Sequence, residues 1–179
     1  AAKRGCPAPR ATRGAAAEFA VRPQPITWGF RKADVPRTIE TVVIHTLYNP
    51  WAKDWSSRSA ILRILKYYGV APHYLVLRDG TTLQLVDEAD VAFHAGRGRL
   101  PGADRAEDLN DRSIGIELAS SRRTKPTAAQ YRSLAALVRS IEGRYAIAHI
   151  VGHRDVAPAS RTDPWNFDWK KFRAMIAKQ

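Results

Sequence analysis

The sequence predicts one mixed α/β domain, because strand-like and helix-like runs alternate along the chain. Residues 39–45 (IETVVIH) form an apolar run of strand length, and residues 147–151 (IAHIV) form another. Between them, apolar side chains recur at helical spacing over residues 61–68 and 131–141. The 179 residues are enough for one domain with a sizeable core but too few for two full domains.

The first 25 residues differ in composition from the rest. Residues 1–25 are rich in Ala, Pro and basic side chains and have almost no large apolar ones, which is typical of a tail. Such a tail serves either as an electrostatic anchor on an anionic surface or as a solvated tether. We therefore expect a basic, flexible tail over residues 1–25 and a folded domain over residues 26–179.

The charge of the chain favours polyanionic surroundings. There are 29 Lys and Arg against 17 Asp and Glu, which gives a formal net charge of +12. Nucleic acid, anionic lipid and acidic cell-wall polymers are all consistent with this charge. No stretch of about 18 apolar residues is present, so we do not expect the chain to be an integral membrane protein. The single cysteine, Cys6, excludes an intrachain disulfide and a cysteine-based zinc site.

A helix and a hairpin follow the first apolar strand. The helical pattern over residues 61–68 stops at Gly69, a residue that often ends helices. Residues 73–78 and 81–86 are two short strand patterns, and the Asp-Gly pair at residues 79–80 between them is a strong hairpin signal.

The strand predicted over residues 113–118 (SIGIEL) alternates between its two faces. Its isoleucines and leucine share one face, whereas Gly115 and Glu117 lie on the other. Gly115 leaves room beside Glu117 for a bulky neighbour. Two interpretations of Glu117 remain open at this point: a functional carboxylate, or a solvated glutamate on an edge strand.

The remaining segments continue the alternation of predicted strands and helices along the chain. Residues 97–109 contain Gly, Arg and Asp without periodicity and predict a long surface loop. Thr127 and Gln130 form a capping-box pattern at the start of a helix that stops at Gly143. Residues 168–177 have apolar side chains at helical spacing and predict a closing helix.

A candidate metal site comes from the stretch at residues 151–169. His153 ends a strand, and Asp163 is followed by Pro164, which stiffens the loop. A catalytic zinc takes three protein ligands and leaves one position open. His45, at the end of the first buried strand, is the candidate for the third ligand. The alternative for His45 alone is a core histidine with satisfied hydrogen bonds.

Five motifs in a fixed order resemble the type-2 N-acetylmuramoyl-L-alanine amidases, a zinc amidase family related to peptidoglycan recognition proteins. The motifs are TVVIH (41–45), PHYLVLRDG (72–80), FHAG (93–96), NDRSIGIEL (110–118) and VGHRD with RTDP (151–164). The resemblance covers about residues 39–172, and five ordered motifs are more specific than any one of them.

The resemblance implies a mixed central β-sheet flanked by helices, the peptidoglycan-recognition-protein-like amidase fold. It implies cleavage of the amide between N-acetylmuramic acid and the L-alanine of the stem peptide. It also implies one Zn²⁺ per chain, held by His45, His153 and Asp163, with Glu117 as the catalytic carboxylate that takes a proton from water and passes it to the leaving nitrogen.

Further roles are carried over by motif position. Arg161 stands where these amidases usually have a lysine, so it is expected to stabilise the oxyanion but not to transfer a proton. His94 is expected in the substrate groove, and Asn110 and His73 are further candidates for substrate binding. For His73 a structural role is favoured, with a ring edge in the substrate groove as the alternative.

Three function classes are compared. A zinc amidase acting on peptidoglycan or muropeptides is favoured, with attraction to anionic cell-wall polymers explaining the charge. A non-catalytic peptidoglycan recognition module is the first alternative, although all three ligand positions are filled. A nucleic-acid binder is the second, but no nucleic-acid motif supports it. We expect a monomer in the cell envelope, periplasmic or secreted, with a phage-encoded or cytoplasmic recycling form as alternatives.

Overall fold

A mixed six-stranded sheet forms the centre of the computed structural model, which describes residues 19–177. The strands run in the order β1-β5-β4-β9-β3-β10. Their bounds are Val21–Pro23 (β1), Thr41–Leu47 (β3), Tyr74–Val76 (β4), Thr82–Gln84 (β5), Ser113–Ala119 (β9) and His149–Gly152 (β10). Strands β9, β3 and β10 are parallel neighbours, whereas β4 and β5 form an antiparallel hairpin. The predicted mixed α/β domain is confirmed.

Helix α2 (Ala128–Glu142) and helix α4 (Trp169–Ile176) cover one face of the sheet. The alternate apolar residues of β3 and β9 point to this face, where they pack against Leu134 and Val138 of α2 and Phe172 of α4. Thr127 and Gln130 form the predicted capping box, and Asp168 caps α4. This is the larger core, and it leaves the opposite side chains of β3 and β9 for the other face.

Helix α1 (Arg58–Tyr68) covers part of that other face. It starts at the Ser57 N-cap, ends at Gly69 in the left-handed conformation, and packs Ile61 and Leu65 against the β4–β5 hairpin. A separate apolar cluster, which includes Val43 and Val151, lies further along the same face. His45 and Glu117 lie on this face of the two central strands.

The segment predicted as a featureless loop contains regular structure. Strand β7 (Arg97–Gly98) pairs antiparallel with β8 (Glu107–Asp108), and a 3₁₀ turn, Leu109–Arg112, leads into β9. A further two-stranded ribbon joins β2 (Phe30–Arg31) to β6 (Val91–Ala92). The prediction failed because strands of two residues are too short to show a period.

Two other expectations are corrected. Strand β1 pairs parallel with β5, so the folded domain begins before residue 26 and the predicted tail is shorter than residues 1–25. Residues 1–18 of that predicted tail lie outside the described residues. A one-turn helix α3, His153–Val156, replaces the expected loop directly after β10.

No helix within residues 19–177 combines the length and the apolar character that a bilayer crossing requires.

Gln130 links α2 to the sheet, and its removal should destabilise the protein. Its buried Nε2 donates to the carbonyls of Val76 (3.0 Å) and Ala119 (3.2 Å), while Oε1 accepts from Thr127 N. Gln130→Ala leaves these groups without partners, so we expect the free energy of unfolding in urea to fall by about 2–4 kcal/mol. The partly exposed Gln24→Ala is the control, and a loss as small as that of the control would contradict the role.

Candidate metal centre

Three side chains converge at the carboxyl ends of β3 and β10. Nδ1 of His45 lies 3.2 Å from Oδ2 of Asp163, and Nδ1 of His153 lies 3.4 Å from its Oδ1. One ligand atom from each of the three residues lies within 4.8 Å of the others. The three residues that the sequence predicted as metal ligands therefore form one cluster.

The register of the parallel strands brings the residues together. Gly152 of β10 pairs with Ile44 of β3, so the next residues, His153 and His45, are neighbours. His45 in turn pairs with Glu117 of β9. The two histidine rings lie 4.5 Å apart between centroids.

The loop that carries Asp163 is tied back to α3. The backbone N–H of Arg154 donates to the carbonyl of Asp163 at 2.7 Å. Pro164 packs over Gly152, where a Cβ would lie only 2.6 Å from the proline Cδ, so any larger residue there would push the loop away. Asp155 Oδ2 accepts from Gly152 N at 2.8 Å and fixes the turn. These contacts hold Asp163 against both histidines.

The hydrogen bonds of His153 favour a cation between its Nδ1 and the carboxylate of Asp163. Its Nε2 lies 3.1 Å from the carbonyl oxygen of Ala95, which can only accept, so Nε2 carries the hydrogen of the neutral ring. Nδ1 then presents a lone pair to the carboxylate of Asp163. Two acceptors that face one another at 3.4 Å need a positive charge between them, and two imidazoles with one carboxylate are a ligand set typical of zinc.

The pKa shift of His45 agrees with a neutral ligand, whereas that of Asp163 describes the metal-free site. Burial lowers the pKa of His45 despite its contact with Asp163, so its imidazole is neutral, as a metal ligand must be. Burial alone would raise the pKa of Asp163. Hydrogen bonds from Nδ1 of His153 and His45 outweigh burial and lower the pKa of Asp163 in the metal-free protein. Where both Nδ1 atoms carry lone pairs instead, a bound cation would have to supply that stabilisation.

Glu117 lies beside the cluster on the central strand β9. It is 7% exposed, so the interpretation as a solvated glutamate on an edge strand is wrong. Burial, followed by the charge of Asp163, raises the pKa of Glu117 well above its ordinary value. Its Oε1 has no hydrogen-bond partner among residues 19–177. A buried carboxyl with a free oxygen and a raised pKa accepts a proton more readily than an ordinary glutamate does.

Arg161 lies at the rim of the cluster with an exposed side chain. Its Nε lies 3.3 Å from Nε2 of His153. That nitrogen cannot donate to Ala95 and also accept from Arg161. Either contact of Nε2 leaves the exposed guanidinium of Arg161 at the edge of the three-residue cluster.

His94 lies against a metal-ligand candidate and over the glycine of β9. Its Nδ1 lies 3.0 Å from Nε2 of His45, and its Nε2 lies 3.2 Å from Oγ of Ser113. A Cβ on Gly115 would come within 2.4 Å of the His94 ring, so the bulky neighbour expected beside Glu117 is this histidine. Burial lowers the pKa of His94 well below its ordinary value, with the neighbouring histidines adding to the effect.

The structure gives Asn110 and His73 hydrogen bonds within the protein, and the complete burial of His73 speaks against a substrate contact. Oδ1 of Asn110 accepts the backbone N–H groups of His94, Ala95 and Gly96 at 2.9–3.1 Å, so it holds this segment in place. His73 is fully buried. Its Nδ1 accepts from the N–H of Gly115 at 3.0 Å, and its Nε2 donates to the carbonyl of Asp90 at 3.2 Å.

Arg37 supports the site and was missed by the sequence reasoning. All five N–H donors of its guanidinium point to backbone carbonyls, so it joins the segment before β6 to the turn before β9. The acceptors are the carbonyls of Glu88, Asp90, Asn110, Asp111 and Ser113. No sequence signal could have identified it, because its partners are 51 to 76 residues away and use backbone atoms.

Comparisons with known proteins agree with the fold and the site. Residues 35–166 match the family model described as N-acetylmuramoyl-L-alanine amidase. The crystal structure of a selenomethionine derivative of AmpD superposes with a TM-score of 0.73 and 30% identity. That superposition covers 92% of this chain and 97% of the other.

Two curated relatives are similar in sequence. The 1,6-anhydro-N-acetylmuramyl-L-alanine amidase AmpD of Enterobacter cloacae is 46% identical over 105 residues, which are 57% of this chain and 54% of the relative. The protein of the same name from Haemophilus influenzae is 32% identical over 164 residues, 82% of this chain and 88% of the relative. The chain matches only 54–60% of the length of the first five curated relatives.

The buried His73 should make folding stability depend on pH. Burial, then the charge of Arg37, lowers the pKa of His73 from 6.5 to about 3 in the folded protein. Below pH 6.5 the unfolded chain therefore binds a proton that the folded chain rejects. This contribution is fully present above pH 6.5 and is lost as pH falls toward 3, by on the order of 4 kcal/mol.

The measurement is the free energy of unfolding in urea between pH 7 and pH 4, in the presence of a chelator. His73→Asn keeps an acceptor for Gly115 N–H but does not titrate, so its stability should fall less steeply with decreasing pH than that of the wild type. The control, Gln24→Ala, removes no titrating group and should retain the wild-type slope. Equal slopes for wild type and His73→Asn would contradict the burial of a neutral imidazole.

Proposed function

Because the chain belongs to the N-acetylmuramoyl-L-alanine amidase family, we propose that it hydrolyses the amide between N-acetylmuramic acid and L-alanine. The observation that carries the proposal is the cluster of His45, His153 and Asp163 with Glu117 beside it. The cluster lies within the residues that the family model covers. The substrate class is peptidoglycan or the muropeptides released from it.

The proposed cofactor is one Zn²⁺ bound by His45, His153 and Asp163. The fit rests on the two Nδ1 lone pairs that face the carboxylate, together with the ligand types. A zinc ion bound there would polarise the amide carbonyl and lower the pKa of a water molecule. Cys6 is the only cysteine of the chain, so His and carboxylate are the ligands that remain.

Glu117 is the proposed general base and then general acid. Burial raises its pKa above that of an ordinary glutamate, which makes it a stronger acceptor for a proton of the attacking water. The water oxygen adds to the carbonyl carbon, and the bond between that carbon and the alanine nitrogen breaks. Glu117 passes its proton to this nitrogen, so the products are a lactyl carboxylate and a free alanine amine.

Arg161 is the proposed stabiliser of the oxyanion. Its guanidinium is charged at all relevant pH values and lies at the rim of the cluster, within reach of His153. It contributes positive charge where negative charge develops on the carbonyl oxygen, and it does not transfer a proton.

Relatives named for 1,6-anhydro-N-acetylmuramyl substrates support a soluble muropeptide as the first substrate to test. Such a substrate would favour the cytoplasmic recycling form over the cell-envelope location expected from charge. The location and the monomeric state of this chain both remain predictions.

Two substitutions separate catalysis from metal binding. Glu117→Gln removes the titrating oxygen but no ligand, so we expect one zinc per chain and a loss of activity of about 10²- to 10⁴-fold. Asp163→Ala removes a ligand, so zinc and activity should both be lost. The measurements are zinc content by elemental analysis and release of N-terminal alanine from a 1,6-anhydro muropeptide and from purified peptidoglycan.

The outcomes distinguish the function classes. Wild-type protein that binds zinc but releases no alanine from either substrate would favour a recognition module over an enzyme. Wild-type protein without zinc would refute the proposed centre. Equal zinc loss in Glu117→Gln and Asp163→Ala would contradict the roles given to these two carboxylates.

Arg161 should affect turnover more than zinc content. Arg161→Ala removes the positive charge near the developing oxyanion, so we expect kcat to fall by about 10- to 100-fold, less than for a fully buried donor. Arg161→Lys keeps the charge and should retain more activity than the alanine variant. Steady-state kinetics with zinc-loaded protein test this, and an unchanged kcat in Arg161→Ala would remove Arg161 from the mechanism.

A further inference from the structure

We propose that His94 is a positioning residue for the metal centre: together with Ser113 and the carbonyl of Leu109, it fixes the hydrogen of His45 on Nε2 and keeps Nδ1 free for the metal. This assignment rests on the proposed zinc site. It differs from the substrate-groove role that the family resemblance predicted for His94.

The hydrogen-bond chain starts at a group that can only accept. Oγ of Ser113 lies 2.5 Å from the carbonyl oxygen of Leu109 and donates its one hydrogen there. Ser113 is fully buried on β9, so water does not offer an alternative acceptor. The hydroxyl oxygen therefore has only lone pairs left for His94.

The second link fixes the tautomer of His94. Its Nε2 lies 3.2 Å from Oγ of Ser113 and must donate, because the hydroxyl hydrogen is already used. A neutral imidazole carries one hydrogen, so Nδ1 of His94 is an acceptor.

The third link reaches the ligand. Nδ1 of His94 lies 3.0 Å from Nε2 of His45, so Nε2 of His45 carries the hydrogen and donates it. Nδ1 of His45 then has a free lone pair, 3.2 Å from Oδ2 of Asp163. With the hydrogen on Nδ1 instead, His45 would hydrogen-bond to Asp163 and would not be ready to bind a metal.

The neighbouring residue fixes the other histidine ligand in the same way. Nε2 of His153 donates to the carbonyl of Ala95, so residues 94 and 95 orient both imidazoles. Oδ1 of Asn110 holds the backbone of this segment through three N–H groups. Gly115 provides the space for the His94 ring. Outer hydrogen bonds of this kind usually change metal affinity by about 10- to 100-fold when they are removed.

The two roles for His94 predict different results. A substrate contact would change KM and leave zinc binding unaltered. A positioning residue would change the zinc dissociation constant in the absence of any substrate. Zinc affinity, measured by competition with a chromogenic chelator, therefore separates the roles.

The experiment compares three variants of the full chain with the wild type. His94→Phe keeps a ring over Gly115 but offers no acceptor, so we expect its zinc dissociation constant to rise by about 10- to 100-fold. His94→Asn places an amide oxygen near the position of Nδ1 and should restore most of the affinity. His149→Phe, which alters a histidine outside the chain of hydrogen bonds, should bind zinc like the wild type.

A second measurement uses the wild type alone, so it does not depend on whether the variants fold. Long-range ¹H–¹⁵N spectra of the metal-free wild type should show hydrogen on Nε2 of both His94 and His45. Hydrogen on Nδ1 of His94 would overturn the proposal, and so would wild-type zinc affinity in His94→Phe. If the wild type itself bound no zinc, the proposed metal centre would fail as well, whereas unchanged affinity in His94→Phe alone would leave the proposed function intact.

Discussion

The parallel pairing of β3 with β9 and β10 is the constraint on which the site depends. Its register places Glu117, His45 and His153 side by side on three adjacent strands, although they are far apart in sequence. A shift of one residue in β3 would turn His45 to the opposite face, into the core under α2. The apolar residues that alternate with His45 and Glu117 fix the register, because they must face that core.

The low exposure of the site makes the hydrogen-bond directions around it matter. A buried imidazole whose second nitrogen has a fixed partner has one tautomer, so its metal-binding lone pair is set before a metal arrives. Arg37 and Asn110 act one step further out, by holding the backbone turns that carry His94, Ala95 and Ser113. The orientation of the two histidine rings therefore depends on groups outside the three-residue cluster.

Glu117 and Asp163 are two carboxyl groups in one site with opposite pKa shifts. Asp163 faces two imidazoles and has a lowered pKa, whereas Glu117 has a free oxygen in a buried position and a raised pKa. In the proposed mechanism, Asp163 supplies negative charge and Glu117 transfers the proton, as environments that separate two pKa values in this way permit. On an exposed loop, an Asp and a Glu would have similar pKa values and could not take these two different roles.

The sequence by itself determined the mixed α/β class, the main strands and helices, and the identities of the residues in the cluster. Those features follow from local periodicity, caps and turn signals, and from motifs whose order resembles a known family. Only the tertiary structure decided that β1 belongs to the sheet, that His73 and Asn110 face inward, that Arg37 joins five carbonyls, and that His94 contacts His45. These depend on backbone acceptors and on side-chain directions across strands, which residue identity and spacing along the chain do not specify.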